Sequence, residues 1–226
     1  SLTPPRINKI KEIRPDVDQV DIDGKAILFE SGIYAKIPTD LPEKLALSAL
    51  DVAGAPAQTA KLVKPGDTVL IIGAGGKSGM LCCYEAMKRA GVTGKVIGLC
   101  HSQKSADRLK ALGFCHTVFT ADATQPVPVM EKISELTGGQ MCDVTINNVN
   151  IPDTEMTSIL CTKNDGVVYF FSMATSFTKA ALGAEGVGSD VTMIVGNGYT
   201  KGHAEITLQE LRENEALRKI FTDLYA

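Results

Sequence analysis

Short apolar runs and stretches of helical spacing alternate through most of this chain. Val69 to Ile72 is the clearest run, four consecutive aliphatic residues of the kind found in a strand buried on both faces. Beyond a glycine-rich break, Met80, Cys83, Tyr84 and Met87 recur at i, i+3, i+4 and i+7, which predicts a helix. Val96 to Cys100 predicts a second strand, and Ala106, Leu109 and Leu112 a helix closed by Gly113. Thr117 to Thr120 reads as a third strand. Val129, Met130, Ile133 and Leu136 share one face of a helix that Gly138-Gly139 stops. Cys142 to Ile146, Val167 to Phe171 and Val191 to Val195 complete six strands, with a helix through Met156, Ile159 and Leu160 between the first two of these. The pattern predicts an α/β fold: a Rossmann-type, doubly wound six-stranded parallel sheet joined by right-handed crossovers.

The flanks read differently. Pro4, Pro5 and Pro15 interrupt the start, and Gln19 to Phe29 reads as a hairpin around Asp23-Gly24, too little to bury a core alone. Residues 1–37 therefore read as the tail of another domain, 38–202 as the dinucleotide-binding domain, and 203–226 as a closing helix. One helix is predicted from Leu41-Pro42 to about Leu62, with the proline in its first turn. Leu217, Ile220, Phe221 and Leu224 form the apolar stripe of a long final helix.

Composition narrows the classes. The 226 residues are 44% hydrophobic and 22% charged with a net charge of −3, which offers no nucleic-acid surface. No apolar run approaches the ~18–20 residues of a membrane-spanning helix, and Ser1 opens no charged-then-apolar leader. The six cysteines show no C-x-x-C pair or zinc-ligand spacing, so free thiols in a reducing cytoplasm are expected, without zinc or disulfides.

The candidate chemistry sits in the break after Ile72, where Gly73, Gly75, Gly76 and Gly79 join strand to helix. Unpaired N–H groups and the helix dipole favour an anion there, and glycines let the backbone approach a pyrophosphate. Gly76-Lys77-Ser78 resembles the end of a P-loop, but that motif needs a glycine where Ile71 stands, inside the strand. The dinucleotide fingerprint G-x-G-x-x-G/A fits Gly73 and Gly75, with Ser78 in the third place.

The second strand indicates which dinucleotide. An NAD site calls for Asp or Glu at its end, whereas Cys100-His101-Ser102-Gln103-Lys104 holds none before Asp107. Ser102, Lys104 and Arg108 suit a ribose 2′-phosphate, so NADP(H) is expected over NAD(H), which stays possible. Lys104 and Arg108 also fit a solvated helix face. Asn147-Asn148 and Ser172-Met173 end the fourth and fifth strands, where a nicotinamide ribose and carboxamide come close; plain turn formation fits them equally. Gly196-Asn197-Gly198 after the sixth strand fits the cofactor crevice or a turn equally, Ala121-Asp122 fits the adenine border or a surface loop, His116 reads as structural and His203 as a surface residue.

The succession Tyr34-Ala35-Lys36-Ile37-Pro38, Leu45 to Thr59, Lys64-Pro65-Gly66-Asp67-Thr68-Val69-Leu70 and Gly73-Ala74-Gly75-Gly76 resembles the medium-chain dehydrogenase/reductase superfamily, relatives of zinc alcohol dehydrogenases. The resemblance spans residues 25–226. More narrowly, GAGGKSGMLC, VIGLCHS and CDVTINNVN are similar to a branch that oxidatively deaminates the 3-amino group of a 3,5-diamino acid in lysine fermentation, with hydride passing to the nicotinamide. The cofactor contacts expected from the glycine turn and the strand ends are Gly73, Ala74, Gly75, Gly76, Lys77, Ser78, Cys100, His101, Ser102, Lys104, Arg108, Asn147, Asn148, Ser172 and Met173; the resemblance implies an amino-acid-derived substrate, and no zinc ligands are carried onto these cysteines. It also implies that residues 1–37 are a short remnant of a GroES-like catalytic domain, so the catalytic group is unassigned and this stretch alone is expected to bind cofactor without turnover. A carbonyl or enone reductase and a non-catalytic dinucleotide-binding module remain alternatives. The sixth strand, apolar and at a sheet edge, points to a homodimer, since unpaired edges recruit another chain and relatives dimerise through this region.

Overall fold

The computed structural model describes residues 5–17, 19–196 and 199–226. Chain contacts divide it into two units, residues 1–36 and 37–226. The first unit is an antiparallel pair, β1 (Pro5–Arg14) and β2 (Gln19–Ala26), joined through a 3₁₀ turn at Pro15–Val17. The turn is therefore not at Asp23-Gly24. That dipeptide lies within β2, where Gly24 pairs with Ile7 beside a register shift. Pro15 cannot continue the ladder, and Arg14 closes the turn end with two bonds to Asp21, at 2.8 and 2.6 Å.

The second unit is built on six parallel strands in the order β5-β4-β3-β6-β7-β8. They are β3 (Thr68–Ile72), β4 (Lys95–Cys100), β5 (Thr117–Thr120), β6 (Cys142–Asn147), β7 (Thr162–Phe170) and β8 (Thr192–Val195). The crossover helices are α3 (Lys77–Ala90), α4 (Gln103–Leu112), α5 (Pro126–Thr137), α6 (Glu155–Leu160) and α7 (Phe177–Gly186). The chain runs outward from β3 through β4 to β5, then returns to place β6 on the other side of β3. This reversal puts the switch point between β3 and β6, where a ligand crevice forms beyond the strand ends.

β3 occupies the centre for the reason its composition suggests. Val69, Leu70, Ile71 and Ile72 are all fully buried. Val69 and Ile71 pack into a core with Met80, Cys83 and Phe221, while Leu70 and Ile72 face Val129 and Ile133 on the opposite side. Each such side chain contributes on the order of 1.5–3 kcal/mol of burial energy, so β3 holds both helical layers together.

Three elements depart from the sequence pattern. The helix expected through Leu62 is two, α1 (Glu43–Leu50) and α2 (Gly54–Leu62). The break tightens into i→i−3 bonds, from Val52 N–H to the Ala49 oxygen and from Ala53 N–H to the Leu50 oxygen. Pro56, without an N–H, is accommodated in the first turn of α2. The final helix is also two, α8 (His203–Glu213) and α9 (Glu215–Tyr225), divided at Asn214, whose side chain caps α9 by accepting from the Leu217 N–H at 2.9 Å. α7 has no counterpart in the predicted pattern. Its buried face is Ala180 and Ala184, with Gly183 so close to Met156 that a Cβ would lie 2.5 Å from the sulfur. Small residues give a weak hydrophobic period even where packing is tight.

Candidate functional site

The turn after β3 is shaped by close backbone approaches. Gly73 has φ +79°, and both its N–H and that of Ala74 donate to the Leu99 oxygen at 3.0 Å, tying the turn to β4. A Cβ on Gly73 would lie 2.9 Å from Val149, just past β6, so the turn sits across the switch point. At Gly75 a Cβ would lie 2.7 Å from the Ser105 Cβ. Gly76 caps α3 through its backbone alone, leaving the N–H groups of the first turn without a side-chain acceptor.

Ser78 stands at the third fingerprint position by spacing, and the closest helix–turn approach is made one residue later, at Gly79. A Cβ on Gly79 would stand 2.1 Å from the Gly73 oxygen and 2.7 Å from Ala74 Cα, so helix and turn meet only because nothing is there. Ser78 is buried one position earlier. The spacing is one residue longer than G-x-G-x-x-G, and Gly79 was visible as a glycine but not as the packing one. Lys77 turns its ammonium to Asp51 at 2.8 Å and lies over the Tyr225 ring, 5.6 Å from its centre.

At the end of β4, Cys100 is buried and its thiol is pushed up by desolvation. His101, Ser102 and Lys104 are exposed. Ser102 is the N-cap of α4, accepting from the Ser105 N–H at 3.3 Å. Arg108 is set apart from this group. It is half-buried, its Nη2 donates to the Gly75 oxygen at 2.8 Å, and its Nε is buried without a partner. Asp122, beyond β5, is held below the usual carboxylate range by bonds from the Thr124 N–H and hydroxyl. His116 is structural in geometry: its Nδ1 accepts from the Val96 N–H at 2.9 Å.

The two asparagines after β6 diverge. Asn147 is fully buried and turned into the fold, donating to Thr154 Oγ1 and Ser158 Oγ at 2.9 Å each and accepting from the Val149 N–H at 3.0 Å. Both of its amide N–H groups are thus used within the fold. Asn148 keeps a buried amide nitrogen with no partner, beside the turn at Gly73. Ser172 and the exposed Met173 join Thr175, Phe177, Val195 and Gly196 around a cavity of about 330 Å³ at the ends of β7 and β8. The strand-end rule reached the first two of these residues; the others come from α7 and the segment preceding it, and from the end of β8. Asn197 and Gly198 lie outside the described residues.

The cradle fits a dinucleotide. Its glycines leave the space a pyrophosphate needs, the α3 N-terminus presents free donors, and the Asn148 amide is an unmet donor at the switch point. Burial pushes the Cys82 and Cys161 thiols up to about 12 and raises Cys83 and Cys142 as well, which disfavours their thiolates. Among the described residues no three His, Cys, Asp or Glu side chains are placed to hold a metal ion, and no helix is long and apolar enough to cross a membrane.

Residues 79–186 match the zinc-binding dehydrogenase family, and residues 1–38 match the L-erythro-3,5-diaminohexanoate dehydrogenase N-terminal domain. The whole chain aligns with L-erythro-3,5-diaminohexanoate dehydrogenase of Acetoanaerobium sticklandii at 64% identity over 225 residues. A second diaminohexanoate dehydrogenase, from Fusobacterium nucleatum subsp. nucleatum, is 60% identical over 225 residues. The chain spans 65% of the length of each of these two relatives. Solved structures share the fold at lower identity. The CurK enoyl reductase superposes with a TM-score of 0.61 at 19% identity, covering 86% of this chain and 56% of its own. A mycobacterial protein complexed with NADPH gives 0.60 at 21%, covering 84% and 57%. The zinc in the broader family's name finds no ligand set among the described residues of this diaminohexanoate dehydrogenase relative.

Proposed function

We propose that this chain is the nucleotide-binding part of an NADP(H)-dependent diaminohexanoate dehydrogenase, which oxidatively deaminates the 3-amino group of L-erythro-3,5-diaminohexanoate to give 5-amino-3-oxohexanoate. The observation that carries this reading is full-chain identity of 60–64% to two dehydrogenases of that name, joined to a glycine cradle that a Cβ would fill. A bound nicotinamide supplies the hydride acceptor. The chain's own residues bind and orient. The α3 N-terminus and the turn from Gly73 to Ser78 receive the pyrophosphate, and Ser102 and Lys104 face the ribose 2′-phosphate. Asn148 and Ser172 stand toward the nicotinamide end, where Ser172, Met173 and Phe177 border a cavity of about 330 Å³. No base for the substrate amine is assigned to the described residues of this chain.

The exposed serine and lysine after β4, with no carboxylate there, support NADP(H). The outer edge of β8, with half-buried Met193, Ile194 and Val195, supports a homodimer formed by edge pairing. Free cysteines support a cytoplasmic setting in lysine fermentation.

Calorimetric titration of the chain with NADPH and with NADH tests the cofactor reading, and tight NADPH binding beside weak NADH binding is expected. Binding of neither would sink it. The full-length protein, assayed at 340 nm, is expected to reduce NADP⁺ with L-erythro-3,5-diaminohexanoate and to leave simple alcohols untouched. A strictly monomeric mass by light scattering would remove the dimer.

A further inference from the structure

A second cavity, of about 570 Å³, lies between α2, the last turn of α3 and the segment leading into α8. Its polar walls are Gln58, Lys61, Arg89, Tyr199, Thr200 and Lys201, and no carboxylate lines it. It shares no residue with the cofactor cradle. Arg89 is twelve residues beyond Lys77 along α3, roughly 18 Å at helical rise.

The donors here converge with little to accept from them. Thr200 donates to the Gln58 oxygen at 2.7 Å, which fixes the amide. Gln58 is only 7% exposed, and it borders the cavity. Lys61 and Lys201 are exposed and have no ion-pair partner among the described residues. Arg89 gives its Nε to buried Glu85 at 2.7 Å, and its terminal nitrogens make no hydrogen bond or ion pair among the described residues. Tyr199 meets His203 edge-on at 5.4 Å and is 56% exposed, so its ring faces are available.

Lys61 and Lys201, beside an Arg89 whose charge is shared with Glu85, give one concavity a positive lining that an anion would balance. Guanidinium, ammonium and amide donors match phosphate oxygens, and an exposed aromatic ring matches a planar base. The volume falls within the roughly 300–1,000 Å³ usual for small-molecule sites. We propose that this cavity is a second ligand site, separate from the cofactor cradle, that takes a nucleoside polyphosphate: the phosphates sit on Lys61, Arg89, Lys201 and Gln58, and the base lies against Tyr199.

Amide NMR of the ¹⁵N-labelled chain, titrated with ATP and separately with adenosine, reads the site directly. ATP is expected to shift amides of residues 57–61, 89 and 199–206, and adenosine to leave them in place. The K61E/K201E double variant is expected to weaken those shifts by at least ~tenfold, as loss of two charge-assisted contacts implies. Both lysines are exposed and unpaired, so the variant keeps its fold, which its spectrum verifies. ATP shifts confined to the cradle around Gly73–Ser78 and Ser102–Arg108, or undiminished ATP binding by the double variant, would overturn the proposal.

Discussion

Arg108 donates from Nη2 to the carbonyl oxygen of Gly75 at 2.8 Å, pinning the glycine turn to α4. We infer that this cation, whose sequence position suggests a ribose phosphate, positions the glycine turn instead. Replacing Arg108 by Ala is expected to cost on the order of 1.5–3 kcal/mol, the range for a charged hydrogen bond, measured by urea unfolding. Because the turn serves both cofactors, NADPH and NADH should weaken by the same factor in calorimetry. Loss of NADPH binding alone would instead make Arg108 a direct phosphate ligand.

Gly79 and Gly76 should respond in opposite ways. Gly79→Ala drives a Cβ to 2.1 Å from the Gly73 oxygen, so the turn must shift. A loss of about 1–3 kcal/mol, the range for overpacking, and of cofactor binding is expected. Gly76→Ala meets only the Gly73 oxygen at 3.3 Å and its backbone needs no positive φ. It should unfold within about 1 kcal/mol of the parent, between the tolerated and overpacked cases. Denaturation midpoints of the two variants, compared side by side, check this.

Cofactor preference is open to a single substitution. Ser102→Asp keeps the N-cap of α4, since aspartate caps as well as serine. It also sets a carboxylate where a 2′-phosphate would lie and a 2′-hydroxyl would bond. The ratio of NADPH to NADH affinity should fall by about tenfold or more, equivalent to roughly 1.4 kcal/mol. An unchanged ratio would show that the phosphate does not sit at Ser102.

Glu210 gives stability a pH dependence. It is fully buried on α8, with both carboxyl oxygens unpartnered, and desolvation followed by the nearby Glu85 raises its pKa well above 4.5. Lys88 and Arg89 oppose that shift, while Glu213 adds to it. The native state therefore holds a proton that the unfolded chain releases, and this contribution diminishes as pH rises from the unfolded value toward the raised native one. Glu210→Gln should be the more stable protein at pH 8 and should flatten the decline between pH 5.5 and 8, read from urea midpoints. A decline as steep as the parent's would assign the effect to other groups.

What the sequence determined by itself is the run of elements around β3. Aliphatic runs such as Val69–Ile72 and Val96–Cys100 carry their burial in their composition, and a glycine-rich break after the first of them marks where an anion can approach. Those are local properties, so the parallel sheet and the place of the cradle were legible. Tertiary structure decided which residues do which work. Asn147 and Asn148 are neighbours of one type, yet one is turned into Thr154 and Ser158 while the other keeps a free donor at the switch point. Gly79 matters because α3 crosses the Gly73 carbonyl, and Arg108 because α4 brings it to Gly75 from 33 positions away. α7 was invisible because its contacts use alanine and glycine, whose packing depends on what faces them rather than on their own hydrophobicity. The hairpin turn moved to Pro15–Val17 because strand register is fixed across both strands at once, beyond the reach of a dipeptide signal.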